Sequence, residues 1–384
     1  MLAEASTAET LRLLVNGEKL PLGFVREDGR VFLVARERSA SWPIAILRSG
    51  IAELALPEGL ARGNVELVTA PEERTAILTK FRSKYGADRF ARWYERPARV
   101  LTVDLETPPA APSAEAGYYH WLESEFDNVA DDYDRHITGN RINRLLRDRS
   151  LAHLQVLFAN SPALFEVGCG SGMETLPLLR AGHEITAVDI SDRMLAVVRE
   201  KAQRDGLGER LRTVKLRARE LDRLLADLGP GSFDGGYSTY GALNCEPDLS
   251  AIPSAVHGLL KPESRFVAGV YNRWCLFELA GYSLSFQNDR AWGRRRNPVP
   301  VGASRFCIDV FAHSVPDFAR LFAGKFRIER VEGVPVFLPP SDLTGYAEKL
   351  SRHFEQLARW DAWAGARWPW NRLGDHFLIT FRRH

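Results

Sequence analysis

Residues 166–172 read Glu-Val-Gly-Cys-Gly-Ser-Gly. Glycines at alternate positions, Gly168, Gly170 and Gly172, let the backbone turn tightly and let a ligand come nearer than any Cβ would allow. A strand-like run, Leu164–Val167, leads into them, and a helical stretch, Met173–Ala181, follows. Strand, glycine loop and helix in that order form a ligand cradle whose helix N-terminus favours a negative group such as a carboxylate. Glu166 stands two residues before the first glycine, where its charge would repel a pyrophosphate and attract a ligand that carries cations. The glycines also depart from the G-x-G-x-x-G spacing of a dinucleotide fingerprint. A second acid, Asp189, ends the run Glu184–Asp189 at 189 − 168 = 21 residues from the first glycine. That matches the roughly 20-residue spacing at which a carboxylate meets a ribose hydroxyl. On the residues alone, a cationic nucleoside is the expected ligand; a dinucleotide site or an accidental glycine turn is the competing reading.

These residues resemble the class I S-adenosylmethionine (SAM)-dependent methyltransferases, and the likeness extends over most of Ala116–His384. Glu166–Gly172 matches the first motif of that family, and Val188-Asp189-Ile190-Ser191 its acidic second. Phe233-Asp-Gly-Gly-Tyr-Ser-Thr-Tyr-Gly-Ala-Leu-Asn244 matches its fourth strand and following loop. Phe126–Asp134 is similar to its leading helix, where a tyrosine, here Tyr133, often lies over the donor. The third motif departs: Leu216-Arg217-Ala218-Arg219-Glu220-Leu221 stands where such families commonly show Gly-Asp-Ala. The resemblance implies a Rossmann-like sheet of seven strands. It also implies donor contacts from Tyr133, Glu166, Gly168, Cys169, Gly170, Gly172, Asp189, Ile190, Met194 and Ser238, with Ala218, Arg219 and Glu220 as candidates for the adenine end.

Methyl transfer from a sulfonium is an in-line displacement, so the protein must chiefly align the reactants and exclude water. A general base is needed only for an acceptor that loses a proton, and Tyr240, His313 and His376 are the candidates; for each histidine a structural hydrogen-bonding role is the simpler reading. Tyr240, Asn244, Asn272, Trp274 and Trp360 are candidate acceptor contacts. The Asn/Asp-Pro-Pro-Tyr signature of N-methyltransferases is absent, which weighs against DNA-base and glutamine methylation.

To position these groups, β and α signals alternate to the C-terminus, as a doubly wound sheet requires. Leu164–Val167, Glu184–Asp189, Arg212–Arg217, Phe233–Ser238 and Arg265–Tyr271 read as strands, with helices at Met173–Ala181, Asp192–Asp205 and Asp248–Leu260. Beyond a minimal domain lie insertions at about 273–315 and 342–370, a strand near Arg305–Phe311, a helix at Pro316–Ala323, and strands at Arg327–Val331 and Asp375–Phe381. Trp360, Trp363, Trp368 and Trp370 crowd the second insertion, which is expected either to wall the acceptor as a helical cap or simply to pack on the core. The run Arg294-Arg295-Arg296 reads as a solvated loop rather than an anion site.

The first hundred residues differ in kind. Short β runs separated by Asn16-Gly17 and Asp28-Gly29 turns, at Leu11–Val15, Leu20–Val25, Val31–Val34, Ile51–Leu56 and Val65–Val68, suggest a small β-barrel. A helix at Trp42–Leu47, a long helix Glu72–Glu95 and a last strand Arg99–Leu105 complete it. The order resembles the flavin-binding split barrels of the pyridoxamine-phosphate-oxidase and deazaflavin-nitroreductase group. Relatives that bind flavin present a basic stretch to the cofactor phosphate, and Leu14–Leu20 keeps only Lys19. A barrel that serves dimerisation or substrate presentation is therefore favoured over one that holds flavin or deazaflavin. Domains at 1–106 and 118–384 follow, joined by the Pro/Ala-rich linker 107–117.

With 384 residues and 45% hydrophobic composition, the chain has length for two cores. A net charge of +2 supplies no global field to draw it to nucleic acid or an anionic membrane, and a small molecule is the expected acceptor. No stretch approaches the roughly 20 apolar residues of a membrane span. Four scattered cysteines without a CxxC pair point to reduced thiols in the cytoplasm. Other readings are a bifunctional flavin-binding enzyme, a non-catalytic SAM-binding scaffold and a methyltransferase of macromolecules.

Overall fold

The computed structural model describes residues 10–35, 41–56, 59–94, 99–106, 114–296, 298–299, 308–341, 343 and 351–384. The chain divides between Val129 and Ala130 into two compact units.

In the first unit, β1 (Thr10–Val15), β2 (Glu18–Glu27), β3 (Arg30–Ala35), β4 (Ile51–Leu56), β5 (Gly59–Leu67) and β6 (Arg99–Asp104) close an antiparallel barrel in the order β1-β2-β3-β6-β5-β4. Closure leaves no unpaired edge. Its two tight turns have left-handed backbone at both central residues, Asn16 (φ 50°) with Gly17 (80°) and Asp28 (47°) with Gly29 (73°). Such turns match the strand twist, and Asn-Gly and Asp-Gly tolerate them. The expected long helix is two, α2 (Pro71–Tyr85) and α3 (Ala87–Tyr94), because Gly86 adopts φ 79° between them.

Helix α4 (Ala114–Val129) packs on this unit, so compaction divides the chain beyond the proline-rich stretch. Its Glu125 carboxylate forms a two-bond ion pair with Arg99 of β6, one bond at 2.8 Å, and both side chains are fully buried. Arg48 of α1 (Ser41–Ser49) lies 4.2 Å above the buried Trp121 ring. The chain comes so close at Gly117 that a Cβ there would sit 2.0 Å from the Arg48 carbonyl oxygen.

The second unit is built on a seven-stranded sheet. Its strands are β7 (Ala163–Val167), β8 (Glu184–Asp189), β9 (Leu211–Lys215), β10 (Phe233–Ser238), β11 (Leu260–Tyr271), β12 (Phe326–Val334) and β13 (His376–Arg383), in the order β12-β13-β11-β10-β7-β8-β9. The five strands from β11 to β9 are parallel; β13 is antiparallel to both β11 and β12. The order reverses between β7 and β10, the crevice where such sheets bind ligands at the carboxyl ends of the strands. One face of the sheet carries the Phe266, Phe318, Phe322, Phe377 and Phe381 cluster, and the other packs Leu154, Phe158, Leu179, Leu195 and Val198. Of the expected strand near Arg305–Phe311, the described part shows a single bridge, Val299 to Val310, and residues 300–307 lie outside the described residues. No described helix is long and apolar enough to cross a membrane.

Removing one partner of a buried ion pair leaves an uncompensated charge. Glu125→Ala is expected to cost about 3–5 kcal/mol in urea unfolding, whereas Glu125→Leu combined with Arg99→Met should recover most of the loss.

Candidate active site

Strand β7 delivers Glu166 into the interior, where its Oε2 accepts hydrogen bonds from Thr175 Oγ1 (2.5 Å) and Tyr237 Oη (3.0 Å). Burial, reinforced by the nearby Glu174, pushes its carboxyl up to about 8. The loop beyond it turns through left-handed glycines, with φ 74° at Gly168, 52° at Gly170 and 83° at Gly172. At two of them the space is also closed: a Cβ on Gly168 would lie 2.3 Å from Ala242 Cβ, and one on Gly172 2.3 Å from Val198 Cγ2. The first contact brings the loop after β10 against the glycine loop. The following helix is shorter than expected, Thr175–Arg180, and Met173 and Glu174 lie in the turn before it.

Asp189 ends β8 with both carboxylate oxygens engaged: Oδ2 accepts from the Gly170 amide (2.8 Å) and Oδ1 from the Ser191 amide (2.9 Å). Ser191 Oγ caps helix Asp192–Arg204 through the Met194 amide (3.0 Å), which buries Met194, while Ile190 stays half-buried. Cys169 is a buried thiol raised well above its usual range by burial. Ser238 Oγ donates to the Val167 carbonyl (2.8 Å), so it ties β10 to β7. Ala218, Arg219 and Glu220 form a single helical turn past β9, where Glu220 accepts the Arg217 amide at 3.1 Å.

Tyr133 opens the short helix Tyr133–Thr138, and its ring reaches within 4.0 Å of where a Gly170 Cβ would be. Asp134 holds that helix to the loop through Ser171 Oγ and Lys201 Nζ. Two charged groups not singled out in the sequence complete this end. Arg147, on helix Arg141–Leu157, pairs with Glu174, donates to Tyr133 Oη (3.2 Å) and lies 4.1 Å over the Tyr240 ring. Glu174 is buried, and its Oε1 has no hydrogen-bond partner among the described residues. Neither spacing nor composition marks these two; only packing brings them to the loop.

Tyr240 follows β10 with φ 57°, and Gly241 continues left-handed at 77°. Its hydroxyl donates to Asn143 Oδ1, and burial raises its pKa, so the phenol stays protonated and cannot serve as a base. His376 starts β13 directly opposite Tyr271 of β11 and stacks on the Tyr240 ring, with centroids 5.8 Å apart and planes at 16°. His376 Nδ1 is 3.0 Å from Asp375 Oδ2. Burial alone would raise the Asp375 carboxyl, but Arg294 and His376 draw it down to about 2.

Arg294 therefore corrects the solvated-loop reading: it is 4% exposed, forms a two-bond ion pair with Glu278, bonds Asp375 Oδ1 (2.6 Å) and stacks 4.0 Å over Tyr271. Cys275, Glu278 and Asp375 are grouped closely enough to ligate a metal, yet this guanidinium already neutralises the two carboxylates.

The remaining candidates have other work. His313 bridges to Asn272 by its backbone and packs on Phe318; burial and Arg273 lower its pKa to about 4, so it stays neutral. The Asn244 amide clamps the Tyr271 and Phe311 backbones, and the Asn272 side chain donates to the Trp274, Arg372 and Gly374 carbonyls. Both are buried structural ties without a free group for an acceptor. Trp274 meets Trp292 edge-on at 6.2 Å. Trp360, Trp363 and Trp368 are 58%, 59% and 75% exposed and wall no site in this conformation, while Trp370 packs on Phe337.

Because Glu166 titrates near 8 in the fold and near 4.5 when unfolded, its stabilising term is complete below pH 4.5 and is lost as pH rises to 8. The urea stability of the wild type relative to Glu166→Gln should fall by up to about 1.4 kcal/mol per pH unit through that window.

Residues 165–268 match the family described as methyltransferase domain. The chain is 31% identical over 110 residues to a ubiquinone biosynthesis O-methyltransferase of Xanthomonas euvesicatoria, an alignment covering 29% of this chain and 43% of that protein. It is 32% identical over 108 residues to the 18S rRNA (guanine-N(7))-methyltransferase of Schizosaccharomyces pombe, covering 26% of this chain and 35% of the other. The chain thus spans less than half the length of these curated relatives. Among solved structures, the 1,6-didemethyltoxoflavin-N1-methyltransferase of Burkholderia thailandensis, with bound 1,6-didemethyltoxoflavin and S-adenosylhomocysteine, is 22% identical over 72% of this chain and 92% of that one, with a TM-score of 0.41. The glycine loop, Asp189 and the reversal of strand order all fall within residues 165–268, the stretch that matches the methyltransferase domain family.

Proposed function

We propose that this protein transfers a methyl group from SAM to a small-molecule acceptor held at the carboxyl edge of the sheet. The observation that carries the reading is the glycine loop itself, pinned by Asp189 and underlain by a buried carboxyl at the point where strand order reverses. The residues fit the donor. Gly168 and Gly172 pack the loop against Ala242 and Val198, Gly170 stays open beneath the Tyr133 ring, and Glu174 has a buried oxygen without a partner among the described residues. When bound, SAM supplies an electrophilic methyl on a sulfonium.

The Glu174 carboxylate, with an oxygen unpaired among the described residues, suits an ammonium, while Glu166, kept largely protonated by burial, adds a neutral hydrogen-bonding carboxyl beneath the loop. Arg147, whose terminal nitrogens hold Glu174 and Tyr133, keeps its Nε without a partner among the described residues, a charged donor for a carboxylate. Asp189 holds the loop through the Gly170 and Ser191 amides, and its place at the end of β8 suits a carboxylate that meets ribose hydroxyls. Tyr133 covers the loop, and Tyr240 lies between Arg147 and His376, along the path from donor to acceptor.

The methylated atom is an acceptor property, and the barrel is assigned dimerisation or substrate presentation; its β1–β2 hairpin pairs Leu14 with Lys19, the single basic residue of that stretch. The buried free thiols Cys169, Cys245 and Cys275 suit the cytoplasm.

Calorimetric titration with SAM and S-adenosylhomocysteine tests the reading. Asp189→Ala should weaken binding by one to two powers of ten, since a paired buried acceptor is worth about 1.5–3 kcal/mol. The absence of any heat with either ligand would sink the assignment.

A further inference from the structure

We infer that His376 is the general base of the reaction, that Asp375 and Arg294 are its positioning residues, and that the acceptor therefore presents a weakly acidic hydroxyl on an apolar small molecule. The inference rests on the methyltransferase reading and adds the acceptor class to it.

The geometry is specific. Asp375 faces Nδ1 at 3.0 Å, and a carboxylate there holds the proton on Nδ1, leaving Nε2 as the basic nitrogen. Nε2 makes no hydrogen bond among the described residues. It points toward the loop after β10, 3.7 Å from where a Gly241 Cβ would be. The ring cannot swing away, because Tyr240 stacks on one side and Tyr271 meets it edge-on at 5.3 Å. Asp375 is itself held ionised by Arg294, whose other donors are taken by Glu278 and by the Asn272 and Asp375 carbonyls. Among the described residues, Arg294, Glu278 and Asp375 behind the imidazole are thus paired with one another, and Nε2 keeps an open acceptor position.

His376 also borders a small cavity. That cavity, of about 10 Å³, is lined by His376, Tyr240, Gly269, Leu146 and Ser150, with Val334 and Leu378. That is room for about one water-sized oxygen, and the walls are mainly apolar. A single hydroxyl fits there. In the reaction, Nε2 takes the hydroxyl proton while the oxygen lone pair bonds to the methyl carbon. The carbon–sulfur bond breaks, and sulfur keeps its electron pair. The imidazolium then returns its proton to solvent, so no oxidant or further reactant is required.

The test compares wild type, His376→Ala and Asp375→Asn, with S-adenosylhomocysteine titrated into each. Failure of the wild type to bind would fault the methyltransferase reading and not this one. With binding intact, nitrogen-15 spectra of the His376 ring should show a proton on Nδ1 and a bare Nε2 in the wild type, and a shift of that tautomer in Asp375→Asn. Catechol and thiophenol serve as acceptor probes at mildly alkaline pH, where the thiol is already ionised. His376→Ala should lower kcat/KM for catechol by about 10²–10⁴ and for thiophenol by less than about tenfold. Equal losses on both probes, no loss on catechol, turnover of neither probe by donor-binding wild type, or a proton on Nε2 would each overturn the inference.

Discussion

The glycine loop has little freedom because its amides are held by the end of the neighbouring strand. Gly168 and Cys169 donate to the Val188 carbonyl at 2.7 and 3.1 Å, and Gly170 donates to the Asp189 carboxylate at 2.8 Å. The parallel register of β7 on β8, which sets Glu166 beside Ala187 and Val167 beside Val188, makes those bonds possible. The same carboxylate turns the chain into the next helix through Ser191. Strand pairing, loop shape and helix direction are therefore one mechanical unit, and a donor bound there meets a surface already formed. A preformed surface spends little binding energy on ordering.

Around that unit the protein buries charge in two places. At the donor end, Glu166, Glu174 and Arg147 share a region where burial raises one carboxyl to about 8 while Arg147 pairs with the other. Around His376, Arg294 neutralises Glu278 and Asp375, and Asp375 in turn orients His376. Tyr240 joins the two, with the Arg147 guanidinium against its ring at one side and the His376 imidazole at the other. Buried ion pairs are poor sources of stability, since desolvation offsets much of the attraction. Their value here is orientation, as they fix the angles of the Tyr240 and His376 rings.

Much of the frame was legible in the chain. Phe233–Ser238, Ile51–Leu56 and Glu184–Asp189 read as strands with the bounds they have in the fold, because their apolar runs end at turn residues. The Glu72–Glu95 helix reads as one from its apolar spacing, and breaks at Gly86 because a left-handed glycine there costs nothing. The tryptophans of the second insertion read either as a wall for the acceptor or as packing on the core, and Trp360, Trp363 and Trp368 instead face solvent. Local pattern reports that a ring is amphipathic, and not which way its helix is turned. Asn244 and Asn272 invite a substrate role by their place after strands; their amides are consumed by backbone groups that only the completed sheet edge brings near.

The sequence by itself determined the donor cradle, from Glu166 through Gly172 to Asp189, and the order of strands that carries it. Those features depend on residue type and on spacings of about twenty residues or fewer, which the backbone geometry of a strand, a turn and a helix converts directly into position. The charge network around His376 was decided by tertiary structure. Arg294 and Asp375 lie 81 residues apart, and His376 comes to Tyr240 only because β13 runs antiparallel to β11 with Tyr271 and His376 opposed. A charge network closed by strand register leaves no local trace, because each member alone looks like an ordinary surface residue.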